Sequence, residues 1–239
     1  MTTNNANKII IALDVSTAKQ ALDLADKLEK ARTFKIGLEL FTAEGPSLFR
    51  ELEKRKKRIF LDLKLHDIPN TVAGAVASGT AHHIHMMTLH TSGGREMMRH
   101  ARDAAEKAAQ KTGNPRPLLL GVTVLTSLHN KELAEIGMAG DTESQVLKLA
   151  RLALISGMDG VVCSPHEIAL IKRTLGKDFL VISPGIRPAW AAAQDQKRIM
   201  TPAQAFQNGA DYIVIGRPVS KAPSPSRALN DIVKESEEA

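Results

Sequence analysis

The chain has one cysteine, one tryptophan and one tyrosine in 239 residues, and each scarcity removes a class of function. A single thiol, Cys163, forms no internal disulfide, so this is not a disulfide scaffold. Within Gly160-Val161-Val162-Cys163-Ser164 it reads as a small core residue. Aromatic residues make up only 3%, too few for the stacking platforms of single-strand nucleic-acid binders. No apolar run approaches the length of a membrane span. The polar start, Met1-Thr2-Thr3-Asn4-Asn5-Ala6-Asn7-Lys8, lacks the apolar centre of a secretion signal. The expected setting is the cytoplasm, with neither membrane nor nucleic acid as partner. No Gly-x-Gly-x-x-Gly follows the first strand, and neither a P-loop nor a Ser/His/Asp signature is present. His82, His83 and His85 cluster without the spacing of a zinc site and are not read as metal ligands.

What remains is an ordinary globular composition, 43% hydrophobic and 24% charged. The net charge of +6 suits a nucleic acid or an anionic small molecule. The densest basic run, Lys54 to Arg58, reads as a solvated helix end, where cations complement the helix dipole.

Short apolar strands alternate with amphipathic helices along the whole chain. The strands fall at 8–14, 34–39, 58–64, 84–90, 118–126, 159–163, 179–183 and 211–215. Near-continuous apolar runs flanked by helices imply parallel strands covered on both faces. A helix is expected over Ala18–Ala31, with Leu22, Ala25 and Leu28 on one face. Ser164-Pro165-His166-Glu167 reads as a capping box. Thr201-Pro202 opens a further helix that Asn208-Gly209 closes, and Thr142 with Gln145 starts another. Repeated βα units without a composition break predict an α/β fold, a single (β/α)8 TIM barrel, over an open doubly wound sheet. One domain is expected over 1–239, with the polar extension 1–7 and the acidic tail 234–239 incidental. The segments 127–141 and 184–200 exceed ordinary connections, which in a compact barrel points to function.

Active sites of such barrels lie at the carboxyl ends of the strands. Asp14 ends the first strand and Lys35 lies in the second. The third carries Asp62 and Lys64, followed by Asp67. Asp62 and Lys64 stand two apart, so in an extended strand both leave the same face. Ions inside an apolar strand are costly unless they pair or work. Lys35, Asp62, Lys64 and Asp67 can alternate in sign across neighbouring strands. One alternative is a buried ion network that only fixes strand register.

Gly216-Arg217-Pro218 opens a helix directly after the eighth strand. A glycine that lets a ligand reach the backbone, a helix N-terminus and a guanidinium fork together suit a phosphate. The plainer reading is a strand-to-helix turn with a surface arginine. Pro184-Gly185-Ile186-Arg187 and the polar stretch 194–198 form a candidate lid over the same phosphate. With no metal, flavin or nicotinamide motif evident, this points to cofactor-free chemistry on a phosphorylated small molecule.

The run Asp62-Leu63-Lys64-Leu65-His66-Asp67-Ile68-Pro69-Asn70-Thr71 resembles the Asp-x-Lys-x-x-Asp signature of the orotidine 5′-phosphate decarboxylase family, in its bacterial form. The resemblance extends through Ala12-Leu13-Asp14, Lys35-Ile36-Gly37-Leu38-Glu39, Leu125-Thr126-Ser127, Pro184-Gly185-Ile186-Arg187, Asp195-Gln196 and Tyr212 to Arg217. It implies decarboxylation of orotidine 5′-phosphate to uridine 5′-phosphate in pyrimidine biosynthesis, without cofactor or metal. By that resemblance Lys64 donates a proton to C6 of the pyrimidine, and Asp62 sits beside the leaving carboxylate. Lys35 holds Asp62 and the ribose hydroxyls, and Asp14 takes a ribose hydroxyl. Asp67 and Thr71 reach across a homodimer interface. Thr126 contacts the pyrimidine, and Ile68 and Pro184 join the substrate contacts. Gln196, Arg217 and the Gly216 amide take the phosphate, with Arg187 on the closing loop. Two alternatives stand beside it: a magnesium-dependent sugar-phosphate decarboxylase or aldolase on the same barrel, and a non-catalytic nucleotide-binding barrel.

Overall fold

A computed structural model describes residues 5–191 and 200–238. Eight strands close into a parallel barrel in chain order. They are β1 (Ile9–Ala12), β2 (Thr33–Gly37), β3 (Arg58–Leu65), β4 (Met86–His90), β5 (Leu118–Val122), β6 (Gly160–Val162), β7 (Leu180–Ser183) and β8 (Tyr212–Ile215). The first helices are α1 (Ala18–Lys27), α2 (Leu38–Glu44), α3 (Ser47–Lys54), α4 (Pro69–Ala81), α5 (Gly94–Thr112) and α6 (Asn130–Glu135). They are followed by α7 (Thr142–Ile155), α8 (Ile168–Leu175), α9 (Pro202–Gln207), α10 (Arg217–Ser220) and α11 (Pro225–Glu237). This is the (β/α)8 barrel that the alternating pattern predicts. The chain forms two compact units, the residues up to Leu63 with those from Ser183 on, and Lys64–Ile182.

In the first unit, β1 is buried along its whole length, as its Ile-Ile-Ile-Ala sequence demands. Parallel registers pair Ala12 with Lys35, Gly37 with Asp62, and Ile11 with Ile215. Helix α1 starts at Thr17, whose hydroxyl accepts the Gln20 N–H. It ends at Lys27, four residues short of the expected Ala31. The reason is Lys57, whose ammonium takes the carbonyls of Leu28, Glu29 and Ala31 at 3.1, 3.0 and 2.9 Å. Those carbonyls have a cation as partner, so the chain can leave the helix there without orphaning them. The basic run 54–58 is therefore not simply solvated. Burial pushes the Lys57 ammonium below its ordinary pKa. Arg55 grips Asp26 with two hydrogen bonds, 2.7 and 3.2 Å, which hold that carboxyl below its usual range. The termini are not incidental either. Asn5, only 6% exposed, donates to the Ser236 carbonyl at 2.8 Å and ties the first turn to α11. Thr201 and Gln204 form the capping box that opens α9.

The second unit holds β4 to β6, most of β7, and α4 to α8. Strand β5 stops at Val122, four residues before the expected end; just beyond it the Thr123 N–H and hydroxyl both donate to the Val162 carbonyl, at 3.3 and 3.0 Å. Helix α7 is capped by Asp141, which accepts the Ser144 N–H at 2.8 Å, and not by Thr142. The Thr142 hydroxyl is engaged by Asn130 Oδ1 at 2.7 Å, and α6 occupies part of the expected 127–141 loop. Arg116 and Asp159 form a fork of two 2.7 Å bonds, and Asp159 also accepts the Leu119 N–H. The Ser164–Glu167 capping box is present, opening a 3-10 turn ahead of α8.

Glu167 accepts the Ser164 N–H at 2.7 Å, yet burial raises its carboxyl pKa from 4.5 to about 7. The folded state thus binds this proton more tightly than the unfolded chain does. Glu167 therefore makes the fold lose stability as pH rises from about 4.5 through about 7. Glu167→Gln keeps an acceptor for Ser164 and is expected to flatten that slope. Thermal melts of both proteins between these pH values check it, and identical slopes would show that Glu167 is not the titrating group.

Candidate active site

The β1–β2–β3 registers build one charged cluster. Asp14 lies two residues beyond β1, and the preceding Leu13 N–H donates to the Lys35 carbonyl at 3.0 Å. Lys35 points its ammonium between two carboxylates, 3.5 Å from Asp14 Oδ1 and 3.5 Å from Asp62 Oδ2. At these lengths the contacts are loose, the geometry of an ion triad that can tighten around a ligand. Exposure splits the three. The side chains of Lys35 and Asp62 are 14% and 12% exposed, whereas Asp14 is 55% exposed. Lys35 and Asp62 are thus the buried pair, and Asp14 is the carboxylate open to an incoming group.

Two glycines clear room for this cluster. A methyl group at Gly37 would stand 3.2 Å from Lys35 Nζ. One at Gly216 would stand 2.9 Å from Asp14 Oδ2, closer than a carbon tolerates. Gly216 is the residue before α10, so its lack of a side chain lets the β8 end approach Asp14. Arg217 follows as the first residue of α10 and is exposed.

Further along β3, Lys64 departs from the extended backbone, with φ of 51°. The period-two argument that set Asp62 and Lys64 on one face therefore stops at Lys64. Its N–H donates to the buried Thr88 hydroxyl of β4 at 2.9 Å. Asp67 accepts the N–H of its neighbour Ile68 at 2.6 Å and is exposed. Ile68 is 67% exposed, and Thr71 in the first turn of α4 is exposed as well. Asp67, Ile68 and Thr71 thus form an outward-facing group where α4 begins. The rings of His66 and His90 stand 5.3 Å apart. Thr126 sits in the turn after β5 rather than at a strand end, and is exposed.

After β7, Pro184 leads into Gly185, whose φ of 78° needs a glycine. The Arg187 N–H donates to the Met200 carbonyl at 3.1 Å. Gln196 lies outside the described residues. Ahead of it, the Ala189 N–H donates to Glu235 of α11 at 3.1 Å. Among the described residues no three His, Cys, Asp or Glu side chains gather as a metal-holding group, and no helix is long and apolar enough to cross a membrane.

Residues 7–232 match the family model described as orotidine 5′-phosphate decarboxylase / HUMPS family. The chain belongs to this family. It is 46% identical over 230 residues to the orotidine 5′-phosphate decarboxylase of Nostoc sp., covering 96% of this chain and 97% of the relative. It is 50% identical over 230 residues to that of Alkalilimnicola ehrlichii, covering 96% of each. The crystal structure of orotidine 5′-phosphate decarboxylase from Lactobacillus acidophilus superimposes with a TM-score of 0.84 at 36% identity, over 96% of this chain and 99% of that one. Every candidate residue from Asp14 to Arg217 falls inside the matched span.

Sequence reasoning passed over the roles of several residues around these side chains. Gly37 sits in the Lys35-Ile36-Gly37 run, but its spacing duty appears only once the Lys35 ammonium is placed. Glu39 accepts the Ser16 hydroxyl at 2.7 Å, and Glu44 accepts the Ala18 N–H at 2.7 Å, tying the segment after Asp14 to α2. Those bonds span more than twenty residues and leave no local signal. Thr88 did leave one: a hydroxyl in the otherwise apolar strand Met86-Met87-Thr88-Leu89.

Proposed function

We propose that this chain decarboxylates orotidine 5′-phosphate to uridine 5′-phosphate, in the cytoplasmic synthesis of pyrimidines, without cofactor or metal. Family membership over nearly the whole chain supports the reaction. The observation that carries the site is Lys35 between Asp14 and Asp62, with Lys64 two residues along the same strand from Asp62.

Breaking the C6–carboxylate bond releases CO2 and leaves its electron pair in an in-plane orbital at C6, which the ring π-system cannot absorb. The required stabilisation is electrostatic: a fixed cation beside C6 in a site closed to water. In this reading the Lys64 ammonium supplies that charge and then its proton to C6, and solvent returns the proton to Lys64. Asp62 lies beside the departing carboxylate, Lys35 fixes Asp62 and meets a ribose hydroxyl, and Asp14 accepts another. Thr126 meets the pyrimidine, with Ile68 and Pro184 as neighbouring contacts. Arg217, the Gly216 amide and Gln196 hold the phosphate, and Arg187 belongs to the closing loop. Asp67 and Thr71 act in the site of a second copy, so the working form is a homodimer; their exposure beside exposed Ile68 supports this. The acceleration needed lies near the upper end of the ~10⁶–10¹⁷ enzyme range.

The test is a spectrophotometric assay of orotidylate disappearance with a chelator present. Full activity is expected. No turnover would refute the activity, and turnover lost only with chelator would favour the magnesium-dependent alternative.

A further inference from the structure

We propose that Thr88 is the positioning residue for Lys64, acting through the main chain; the claim rests on the role given to Lys64 above. Three non-glycine residues among those described have positive φ: Lys56 at 57°, Lys64 at 51° and His83 at 56°. Two of them have an ordinary cause. Lys56 and His83 follow the ends of α3 and α4, where the Lys57 N–H returns to the Leu52 carbonyl and the Ile84 N–H to the Gly79 carbonyl. A left-handed residue is the usual way to stop a helix. Lys64 has no such cause. It lies inside β3, where neighbouring residues are extended and a left-handed L-residue is disfavoured.

A backbone conformation of this kind persists only where its surroundings enforce it. The Thr88 hydroxyl is the anchor at this point, accepting the Lys64 N–H at 2.9 Å. Thr88 has no exposed surface and sits mid-strand in β4, with Leu120 of β5 as its register partner. A hydroxyl held there is a fixed point, because strand, register and burial all set it. Valine or leucine would suit this apolar strand better, so a buried threonine marks a demand for an acceptor. Through this bond Thr88 acts on the main chain of Lys64. It sets the backbone torsion from which the Lys64 side chain departs, and hence where the ammonium stands.

Such a residue leaves a distinct kinetic mark. Misplacing a reacting group by about 1 Å costs about 10²-fold in the chemical step. Ground-state binding through the phosphate and ribose is untouched, so kcat falls and KM holds. Thr88→Val keeps the branched shape and removes the acceptor, and Thr88→Ser keeps the acceptor. Thr88→Val is expected to lose at least about 10-fold in kcat with KM within about threefold, and Thr88→Ser to retain at least about a third of kcat. Crystals of Thr88→Val are expected to show Lys64 outside the left-handed region. Wild-type kcat in Thr88→Val, equal losses in both variants, or an unchanged Lys64 φ would each overturn the proposal. Where the valine variant does not fold, Thr88→Cys, with its weak acceptor, replaces it under the same criteria. A parent chain that fails to turn over orotidylate would refute the activity alone, and the Lys64 φ in the variant crystals would still decide the positioning claim.

Discussion

Lys64→Ala is expected to lower orotidylate turnover by at least about 10⁴-fold while the barrel stays folded. In the proposed mechanism two effects disappear together. A positioned proton donor contributes about 10²–10⁴-fold, and a fixed charge aimed at the developing carbanion is worth about 10²–10³-fold for even one neutral donor. They share one nitrogen, so no neighbour can supply either alone. Lys35 is committed to Asp14 and Asp62, at 3.5 Å from each. The fold should tolerate the change, because Lys64 is only half-buried and its main-chain bond to Thr88 does not depend on the side chain. Uridylate affinity and melting temperature are the controls, and both are expected to stay near the parent values. Turnover within tenfold of the parent would remove Lys64 from the centre of the reaction.

The barrel was legible because its signal is local. Strands covered on both faces need unbroken apolar runs, and Ile9-Ile10-Ile11, Leu118-Leu119-Leu120 and Ile213-Val214-Ile215 supply them. The ends of elements were less legible, because partners distant in sequence decide them. Lys57 stops α1 from twenty-six residues or more away, and Asn5 meets Ser236 across almost the full chain. Thr142 and Asp141 illustrate a subtler limit. Either side chain can cap α7, and only the competing bond from Thr142 to Asn130 decides between them. Site residue types could be read because ions in apolar strands demand a reason. The Lys64 torsion could not, since no residue type announces a left-handed lysine and the residue that holds it lies on the next strand.

Arg217→Ala is expected to cost about 10²–10³-fold in kcat/KM for orotidylate, the range for losing one partner of a bound charge pair. In the proposed reading the phosphate is remote from C6, so its binding energy is expected to serve the reaction by closing the site and ordering the charged cluster. That coupling sets a sharper expectation than weakened binding. In the proposed reading orotidine, which has no phosphate, does not engage Arg217, so the variant should turn it over as slowly as the parent does. The parent should likewise bind uridylate far more tightly than uridine, and Arg217→Ala should erase most of that difference. Stability is not at issue, because Arg217 is exposed at the start of a four-residue helix. Gly216 makes a useful contrast. A methyl group there meets Asp14 Oδ2 at 2.9 Å, so a substitution is expected to disturb the side proposed for the ribose as well as that proposed for the phosphate. A selective loss on the phosphorylated substrate in Arg217→Ala assigns the guanidinium to the phosphate. Equal losses on orotidylate and orotidine would mean that the β8 end acts on the charged cluster instead, and the phosphate grip would have to be sought elsewhere.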